Sequence, residues 1–211
     1  MKINFLGDSI TAGASASSEA NKYVSLVGKI LGCEVSNFGV SGTRIAKQTI
    51  PSECAKYDED FLVRAEKMGD ADMVFVFGGT NDYGHGDAEI GDIDDETSYT
   101  FCGALNNLIK YLLEKYGKEK IRFILPLPRY NQASMYGEGR KTTALYPLSD
   151  YIAAEKKVLA AYGIDFLDLS DMFPEPKTNK PGEIFADGLH PTDKGHRMIA
   201  EYLAQYIKSQ M

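Results

Sequence analysis

The stretch INFLGDSITAG, residues 3–13, runs from a short, mainly apolar segment directly into Gly-Asp-Ser. Such a segment is typical of a buried strand, and turn-forming Gly7 and Gly13 stand on either side of Ser9. Two interpretations are open. In the first, the glycines only end the strand. In the second, Ser9 is a nucleophile at the carboxyl edge of a parallel sheet, where open α/β folds bind their ligands.

Further apolar runs alternate with segments of helical periodicity along the rest of the chain. The predicted strands are residues 3–6, 35–38, 73–77, 121–125 and 164–169. The predicted helices are residues 20–31, a segment from after Asp94 and Asp95 to Gly117, residues 149–162, and a last helix from near Thr192 to the C-terminus. Strands that alternate with helices imply right-handed crossovers and a parallel sheet. We therefore predict one domain over residues 1–211, an α/β fold built as a flavodoxin-like three-layer α/β/α sandwich on a five-stranded parallel sheet.

Composition and charge exclude several classes of protein. The chain has 211 residues, of which 44% are hydrophobic and 25% charged, as in an ordinary globular protein. Its net charge of −7 argues against binding to nucleic acid or to an anionic membrane surface. No apolar stretch resembles a membrane span or a signal peptide, so we expect a cytoplasmic protein without membrane insertion. The sequence indicates no oligomeric state.

Four long segments each follow a predicted strand and are rich in Gly, Pro, Asn and Tyr. They are residues 39–56, 78–95, 126–147 and 174–191. The carboxyl ends of parallel strands share one edge of the sheet, and loops longer than folding requires often carry function. We therefore expect the functional residues in these segments.

A serine hydroxyl needs a base to become a nucleophile, and the base is usually a histidine that a carboxylate orients. His190 stands three residues after Asp187, directly before the last predicted helix. Asp187 could accept a hydrogen bond from one ring nitrogen of His190 and leave the other nitrogen for Ser9. The alternative is that Asp187-Gly188 is only a turn. His196 is predicted to be a surface or packing residue of the last helix.

Acyl transfer also needs hydrogen-bond donors for the developing oxyanion. Gly42, in NFGVSGT (37–43), could supply a backbone N–H, and Asn81, in FGGTNDYGHG (77–86), could supply its side-chain amide. Both residues could equally be ordinary turn residues. Their position after predicted strands, on the same edge as Ser9, favours the functional interpretation.

The blocks Gly7-Asp8-Ser9, Gly42, Gly79-Thr80-Asn81-Asp82 and Asp187-x-x-His190 together resemble the SGNH (GDSL) hydrolase superfamily. The resemblance spans residues 3–196. It implies a flavodoxin-like fold and a serine esterase, lipase, thioesterase or carbohydrate deacetylase. It further implies a catalytic triad of Ser9, His190 and Asp187. The implied oxyanion hole consists of the Ser9 and Gly42 N–H groups and the Asn81 side chain.

Two other classes of protein stay open from the residues. A metal-dependent hydrolase could gather Asp8, Asp82, Asp187 and His190 around a divalent ion, although no zinc-type histidine spacing is present. A module that only binds a nucleotide or sugar could use the same fold without catalysis. We expect an enzyme that needs no metal and no cofactor.

The segments after the third and fourth predicted strands indicate the substrate. Residues 81–96 are acidic, and residues 127–150 mix tyrosines with hydrogen-bonding side chains. Such segments suit a polar leaving group better than a long acyl chain. We predict a short-chain esterase for small polar esters, with acetylated carbohydrates as the first candidate and a lipase, lysophospholipase or acyl-thioesterase as the alternative. The candidate substrate-binding residues are Asp8, His85, Tyr130 and Tyr146.

Overall fold

A computed structural model describes all residues, 1–211, and is built on one five-stranded sheet. The strands are β1 (Lys2–Gly7), β2 (Glu34–Gly39), β3 (Met73–Phe77), β4 (Ile121–Ile124) and β5 (Phe166–Leu167). All neighbouring strands pair in parallel, in the order β2-β1-β3-β4-β5. This is the flavodoxin-like strand order, so the predicted fold class is confirmed.

Seven α-helices connect or follow the strands. They are α1 (Ser9–Ala12), α2 (Tyr23–Leu31), α3 (Phe61–Ala65), α4 (Thr80–His85), α5 (Phe101–Tyr116), α6 (Leu148–Tyr162) and α7 (Asp193–Ser209). Short 3₁₀ turns lie at Glu19–Asn21, Ala55–Asp58 and Lys118–Lys120. No helix is both long enough and apolar enough to cross a membrane.

Two hydrophobic cores lie on opposite faces of the sheet, and β3 contributes to both. Val74 and Val76 belong to the core that contains α3, α5 and α6, whereas Phe75 and Phe77 belong to the core that contains α2 and α7. Successive side chains of a strand point to opposite faces, so a strand covered on both sides must be apolar throughout. This explains the unbroken run MVFVF and leaves the carboxyl ends of the strands free for the site.

The local predictions differ from the structure at several boundaries. The helix expected after Asp94 and Asp95 begins only at Phe101, because the Thr100 side chain caps it by accepting a hydrogen bond from the Gly103 N–H. The fifth strand covers two residues of the predicted six, 166 and 167. Helix α4 lies inside a segment expected to be loop. Its sequence TNDYGH is short and made mostly of weak helix formers, which hides it from pattern analysis.

The segment after α1 is held by the last helix. The Ser17 N–H and hydroxyl both donate to the Asp193 carboxylate, and the Asn21 amide donates to the same group. His196 is fully buried, stacks against Tyr23 and makes a 3.1 Å hydrogen bond from Nε2 to the carbonyl of residue 14. His196 is thus a packing residue, and the N-terminal and C-terminal parts of the chain are joined beside Ser9.

Candidate active site

Ser9 is the first residue of α1, directly beyond the end of β1. Asp8 caps this helix: its Oδ1 accepts a 2.9 Å hydrogen bond from the Ile10 N–H. Gly7 is required at the turn, because a Cβ there would lie 2.0 Å from the Thr11 Oγ1. The short sequence Gly-Asp-Ser therefore ends the strand, starts the helix and presents Ser9 at the edge of the sheet.

Asp8, one of the candidate substrate-binding residues, is almost fully buried in the Ser9 turn. Its residue surface is 2% exposed, and its carboxylate serves the turn. Burial raises the pKa of Asp8 to about 6, against the lowering effects of the Ile10 N–H and of nearby His190 and Arg64. Asp8 is a structural residue of the Ser9 turn.

His190 and Asp187 form a local turn and a side-chain pair at once. The Asp187 Oδ1 accepts hydrogen bonds from the backbone N–H groups of Leu189 and His190, at 3.0 and 2.8 Å. Gly188 has φ +80°, a left-handed conformation that favours glycine. The Asp187 Oδ2 lies 2.7 Å from the His190 Nδ1. The turn interpretation and the orienting-carboxylate interpretation thus describe the same four residues.

The charge of Asp187 is stabilised within this turn. Partial burial would raise the pKa of its carboxyl group, but the ring and backbone hydrogen bonds from His190, together with the charge of His190, hold the pKa at about 2. Asp187 therefore stays ionised at any pH where the protein would work. An ionised carboxylate accepts a hydrogen bond from the Nδ1–H group and so fixes the tautomer of the His190 ring.

The other ring nitrogen of His190 reaches Ser9. Nε2 lies 2.9 Å from the Ser9 Oγ. Because Nδ1 donates to Asp187, Nε2 carries the lone pair and the Ser9 hydroxyl is the donor. Ser9 itself is 6% exposed, whereas the His190 side chain is 21% exposed. The arrangement brings a hydroxyl, a base and an orienting carboxylate into one chain of hydrogen bonds.

The candidate oxyanion residues lie close to each other. The Asn81 Nδ2, in the first turn of α4, donates a 2.9 Å hydrogen bond to the backbone carbonyl of Thr43, the residue after Gly42. That bond uses one of the two amide hydrogens. Gly42 has φ +77°, and a Cβ there would lie 2.9 Å from the Tyr57 ring. Both the backbone conformation and the neighbouring ring thus require glycine at position 42.

Arg64 joins the Ser9 turn to the Gly42 loop, and sequence reasoning missed it. Its NH1 donates to the carbonyls of Gly7 and Phe38, each at 2.6 Å, and its NH2 donates to the Thr43 Oγ1 at 2.8 Å. The residue is 3% exposed, and its guanidinium lies 4.5 Å from the centre of the Phe61 ring. Burial lowers the pKa of Arg64 to about 10, so the group is still charged at neutral pH. Arg64 holds the ends of β1 and β2 and the Thr43 hydroxyl in one arrangement.

The carboxylates proposed for a metal site are occupied elsewhere. The two oxygens of Asp82 accept the N–H groups of Ile45 and Ala46, at 3.0 and 2.9 Å, and the Oδ1 of Asp8 serves the Ser9 turn. No three His, Cys, Asp or Glu residues lie together in a group that could hold a metal ion. The structure therefore gives Asp82 the role of fixing the loop after Gly42.

Two polar cavities adjoin the candidate catalytic residues. The first, of about 460 Å³, is lined by Asp187, His190 and Tyr130, among others. The second, of about 550 Å³, is lined by Gly42 and His85. Glu138 lines both cavities, so they are neighbours. Tyr130 and His85 thus lie where a bound molecule could contact them.

Tyr146, another candidate substrate-binding residue, lines a different cavity from His85 and Tyr130. Its hydroxyl donates a 2.6 Å hydrogen bond to Glu89. The cavity that it lines, of about 840 Å³, has several apolar walls and contains neither Ser9 nor His190. Tyr146 does not line either of the two polar cavities. The composition of residues 127–150 alone therefore does not show which cavity Tyr146 lines.

Comparisons with known proteins identify the family of the chain. The family described as GDSL-like Lipase/Acylhydrolase matches residues 5–198. The protein is thus an α/β enzyme of the carboxylic ester hydrolase class. The chain belongs to the GDSL-like lipase/acylhydrolase family, and the resemblance drawn from its sequence blocks is confirmed. No curated protein matches the chain.

Solved structures share the fold over the whole chain. A protein from Lactobacillus plantarum is 29% identical with a TM-score of 0.77, and the match covers 100% of this chain and 97% of that one. A possible lipase from Chitinophaga pinensis is 19% identical with a TM-score of 0.75, covering 99% and 98%. The lipase/acylhydrolase from Enterococcus faecalis is 24% identical with a TM-score of 0.62, covering 99% and 96%.

Proposed function

We propose that the protein is a serine esterase that removes short acyl groups, above all acetyl, from carbohydrates or related small polar alcohols. The observation that carries the proposal is the unbroken chain of hydrogen bonds from the Ser9 Oγ through His190 to Asp187, at 2.9 and 2.7 Å. A hydroxyl that donates to an oriented imidazole is what a serine nucleophile requires.

In this mechanism the Ser9 Oγ attacks the ester carbonyl carbon while the His190 Nε2 takes the hydroxyl proton. The carbonyl oxygen becomes an oxyanion, and the tetrahedral intermediate collapses as His190 returns the proton to the leaving alcohol. Water then attacks the acyl-enzyme by the same route in reverse, with His190 as base, and releases the acid and free Ser9. Asp187 stays ionised throughout and stabilises the imidazolium that forms twice in the cycle.

The oxyanion is stabilised by hydrogen-bond donors that are already in position before the reaction begins. We assign this role to the backbone N–H groups of Ser9 and Gly42 and to the second amide hydrogen of Asn81. The bond from Asn81 to the Thr43 carbonyl and the bonds of Arg64 support this assignment, because they hold the donors rigid. Donors fixed in advance need no reorganisation when charge develops.

The residues that line the site favour a substrate with a polar alcohol and a small acyl group. The cavity beside His190 contains Tyr130, Asn131 and Asn179, whose side chains offer an aromatic ring and hydrogen-bonding groups. The leaving oxygen must lie at His190 to receive its proton, so the alcohol occupies this cavity. A long acyl chain would need an extended apolar surface, since each buried CH₂ contributes only about 0.8 kcal/mol. The cavity of about 840 Å³, which has several apolar walls, includes neither His190 nor Gly42.

A chain-length series tests the proposal. We expect kcat/KM on p-nitrophenyl esters to be highest for acetate or butyrate and to fall steeply by octanoate. Acetylated sugars should release acetate, and Ser9→Ala, a matched control that removes one oxygen atom, should abolish both activities. A maximum at octanoate or longer would instead indicate a lipase or acyl-thioesterase with the same catalytic residues. Full activity in Ser9→Ala would overturn the mechanism.

A further inference from the structure

We propose that His85 is a specificity-determining residue whose Nε2–H donates a hydrogen bond to a neutral oxygen of the substrate, and that Arg44 is the positioning residue that fixes this tautomer. The proposal rests on the esterase function above and adds to it a particular binding group. It concerns the cavity of about 550 Å³, which His85 shares with Gly42.

Arg44 is a buried cation with defined partners. Its NH2 donates to the carboxylate of Asp58 at 2.7 Å and to the hydroxyl of Ser52 at 2.8 Å. Asp58 also accepts the N–H and hydroxyl of Ser52, at 2.8 and 2.6 Å. Arg44 is only 5% exposed, so these bonds hold its guanidinium in one orientation. The other terminal nitrogen, NH1, lies 2.9 Å from the His85 Nδ1.

The chemistry of the guanidinium determines the state of His85. Every nitrogen of an arginine side chain is a donor, and none is an acceptor. The His85 Nδ1 must therefore accept from Arg44, which places the ring proton on Nε2. A charged imidazolium would direct two N–H groups at each other. Burial first, and then the charges of Arg44 and Arg129, lower the pKa of His85 against the opposing influence of Glu138.

The protonated nitrogen faces the cavity. Nε2 of His85 has no hydrogen-bond partner in the protein, and the atom is partly exposed rather than fully buried. It is therefore accessible from the cavity that His85 lines. The ring of Tyr57, which is 42% exposed and packs against Gly42, lines the same space. A neutral donor beside an exposed aromatic ring suits a sugar, whose hydroxyl oxygens accept and whose flat face stacks.

The position of Glu138 explains how one alcohol reaches both cavities. Its side chain lines the cavity beside His190 as well as the cavity beside His85. It is held by a 3.0 Å ion pair with Arg129. A sugar whose acylated oxygen lies at His190 extends past Glu138, and one of its other oxygens then meets the Nε2–H of His85. The fixed tautomer also means that His85 cannot serve as a second general base.

The first test compares two substrates in two variants. His85→Leu removes the donor, whereas His85→Gln keeps an N–H₂ group close to the position of Nε2. We expect His85→Leu to lower kcat/KM for an acetylated monosaccharide about 3- to 10-fold more than for p-nitrophenyl acetate, chiefly through KM. His85→Gln should restore most of the difference, which a merely structural role would not. An equal fall for both substrates would overturn the inference.

The second test reads the tautomer without any substrate. The chain has three histidines, so ¹⁵N-edited NMR spectra of the rings are simple, and His85→Gln identifies the signals of His85 by their loss. At pH 7 we expect an unprotonated Nδ1 and a protonated Nε2. A proton on Nδ1, or a charged ring, would overturn the inference. A wild-type protein that shows the expected tautomer but hydrolyses no ester would refute the esterase proposal instead.

Discussion

Replacing Glu155 should stabilise the protein, and the gain should grow with pH. Glu155 lies on α6, is fully buried, and neither of its carboxyl oxygens has a hydrogen-bond partner. Its Oε2 lies 3.5 Å from the position of a Cβ on Gly79, the residue that precedes α4. Burial first, and then the negative charge of Asp82, raise the pKa of Glu155 well above its usual value. The folded protein therefore holds Glu155 as a neutral acid.

The magnitude follows from proton linkage. A carboxyl group whose pKa is raised by folding favours the folded state in acid, and that advantage is lost as pH rises above the unfolded pKa near 4.5. While Glu155 keeps its proton in the folded state, the free energy of unfolding falls by up to about 1.36 kcal/mol per pH unit. Between pH 5 and 7 the loss can reach at most about 2.5 kcal/mol, if the folded state keeps its proton throughout. Glu155→Gln, which cannot ionise, avoids this cost. Glu155→Met also avoids burying a polar group without a partner, a further gain of about 1–3 kcal/mol.

The measurement is denaturant unfolding of the three proteins at several pH values from 5 to 7. We expect the advantage of Glu155→Gln over wild type to rise steadily across this range, by up to about 2.5 kcal/mol. Glu155→Met should lie above Glu155→Gln by a nearly constant amount, because neither variant titrates at this position. Asp8 and Asp82 are unchanged in all three proteins, so their own titration largely cancels in the comparison. An advantage that does not change with pH would show that Glu155 is ionised in the folded protein and would refute the reasoning.

Three further predictions concern the site. Ser9→Ala and His190→Ala should each lower kcat by several orders of magnitude, and Asp187→Asn by about 10⁴, with the fold intact by circular dichroism; near-normal turnover in any of them contradicts the triad. Asn81→Ala should lower kcat about 10²- to 10³-fold with a much smaller change in KM, because the oxyanion exists only after attack; a raised KM at normal kcat would make Asn81 a ground-state binding residue. Arg64→Met should lower the free energy of unfolding by about 2–4 kcal/mol in urea titrations and reduce kcat on p-nitrophenyl acetate, since it leaves buried acceptors without a donor. A folded Arg64→Met variant with wild-type kcat would exclude a positioning role.

The fold was predictable because the local patterns are strong. The run MVFVF is apolar throughout, as a strand buried on both faces must be, and α5 carries a long apolar stripe. The fifth strand and helix α4, whose sequence patterns are weak, were not predicted correctly for physical reasons. The fifth strand pairs over two residues only, so its length depends on its neighbour rather than on its own sequence. Helix α4 is stabilised by its surroundings, including the bonds that Asn81 and Asp82 make to the loop of residues 43–46.

The candidate site was predictable where residues of complementary chemistry lie only a few positions apart in the sequence. Asp187 and His190 are three positions apart, so their pairing depends on one turn. Arg64 could not be found in this way, because its partners Gly7 and Phe38 are 57 and 26 positions distant and accept through backbone carbonyls. The cavity that Tyr146 lines could not be predicted for a related reason. A tyrosine in a loop near the site in sequence can point to another cavity, and only the path of the backbone decides which.

The contacts between the two ends of the chain determine when the protein acquires its chemistry. Ser9 and His190 are separated by 181 positions, and the bonds from Ser17 and Asn21 to Asp193 join the same two regions. During translation the proposed nucleophile therefore emerges well before its proposed base. A nascent chain that ends before His190 holds Ser9 without this proton acceptor, and we expect it to hydrolyse no ester. We expect the proposed activity to appear only once the region of Asp193 has packed against the segment of Ser17 and Asn21.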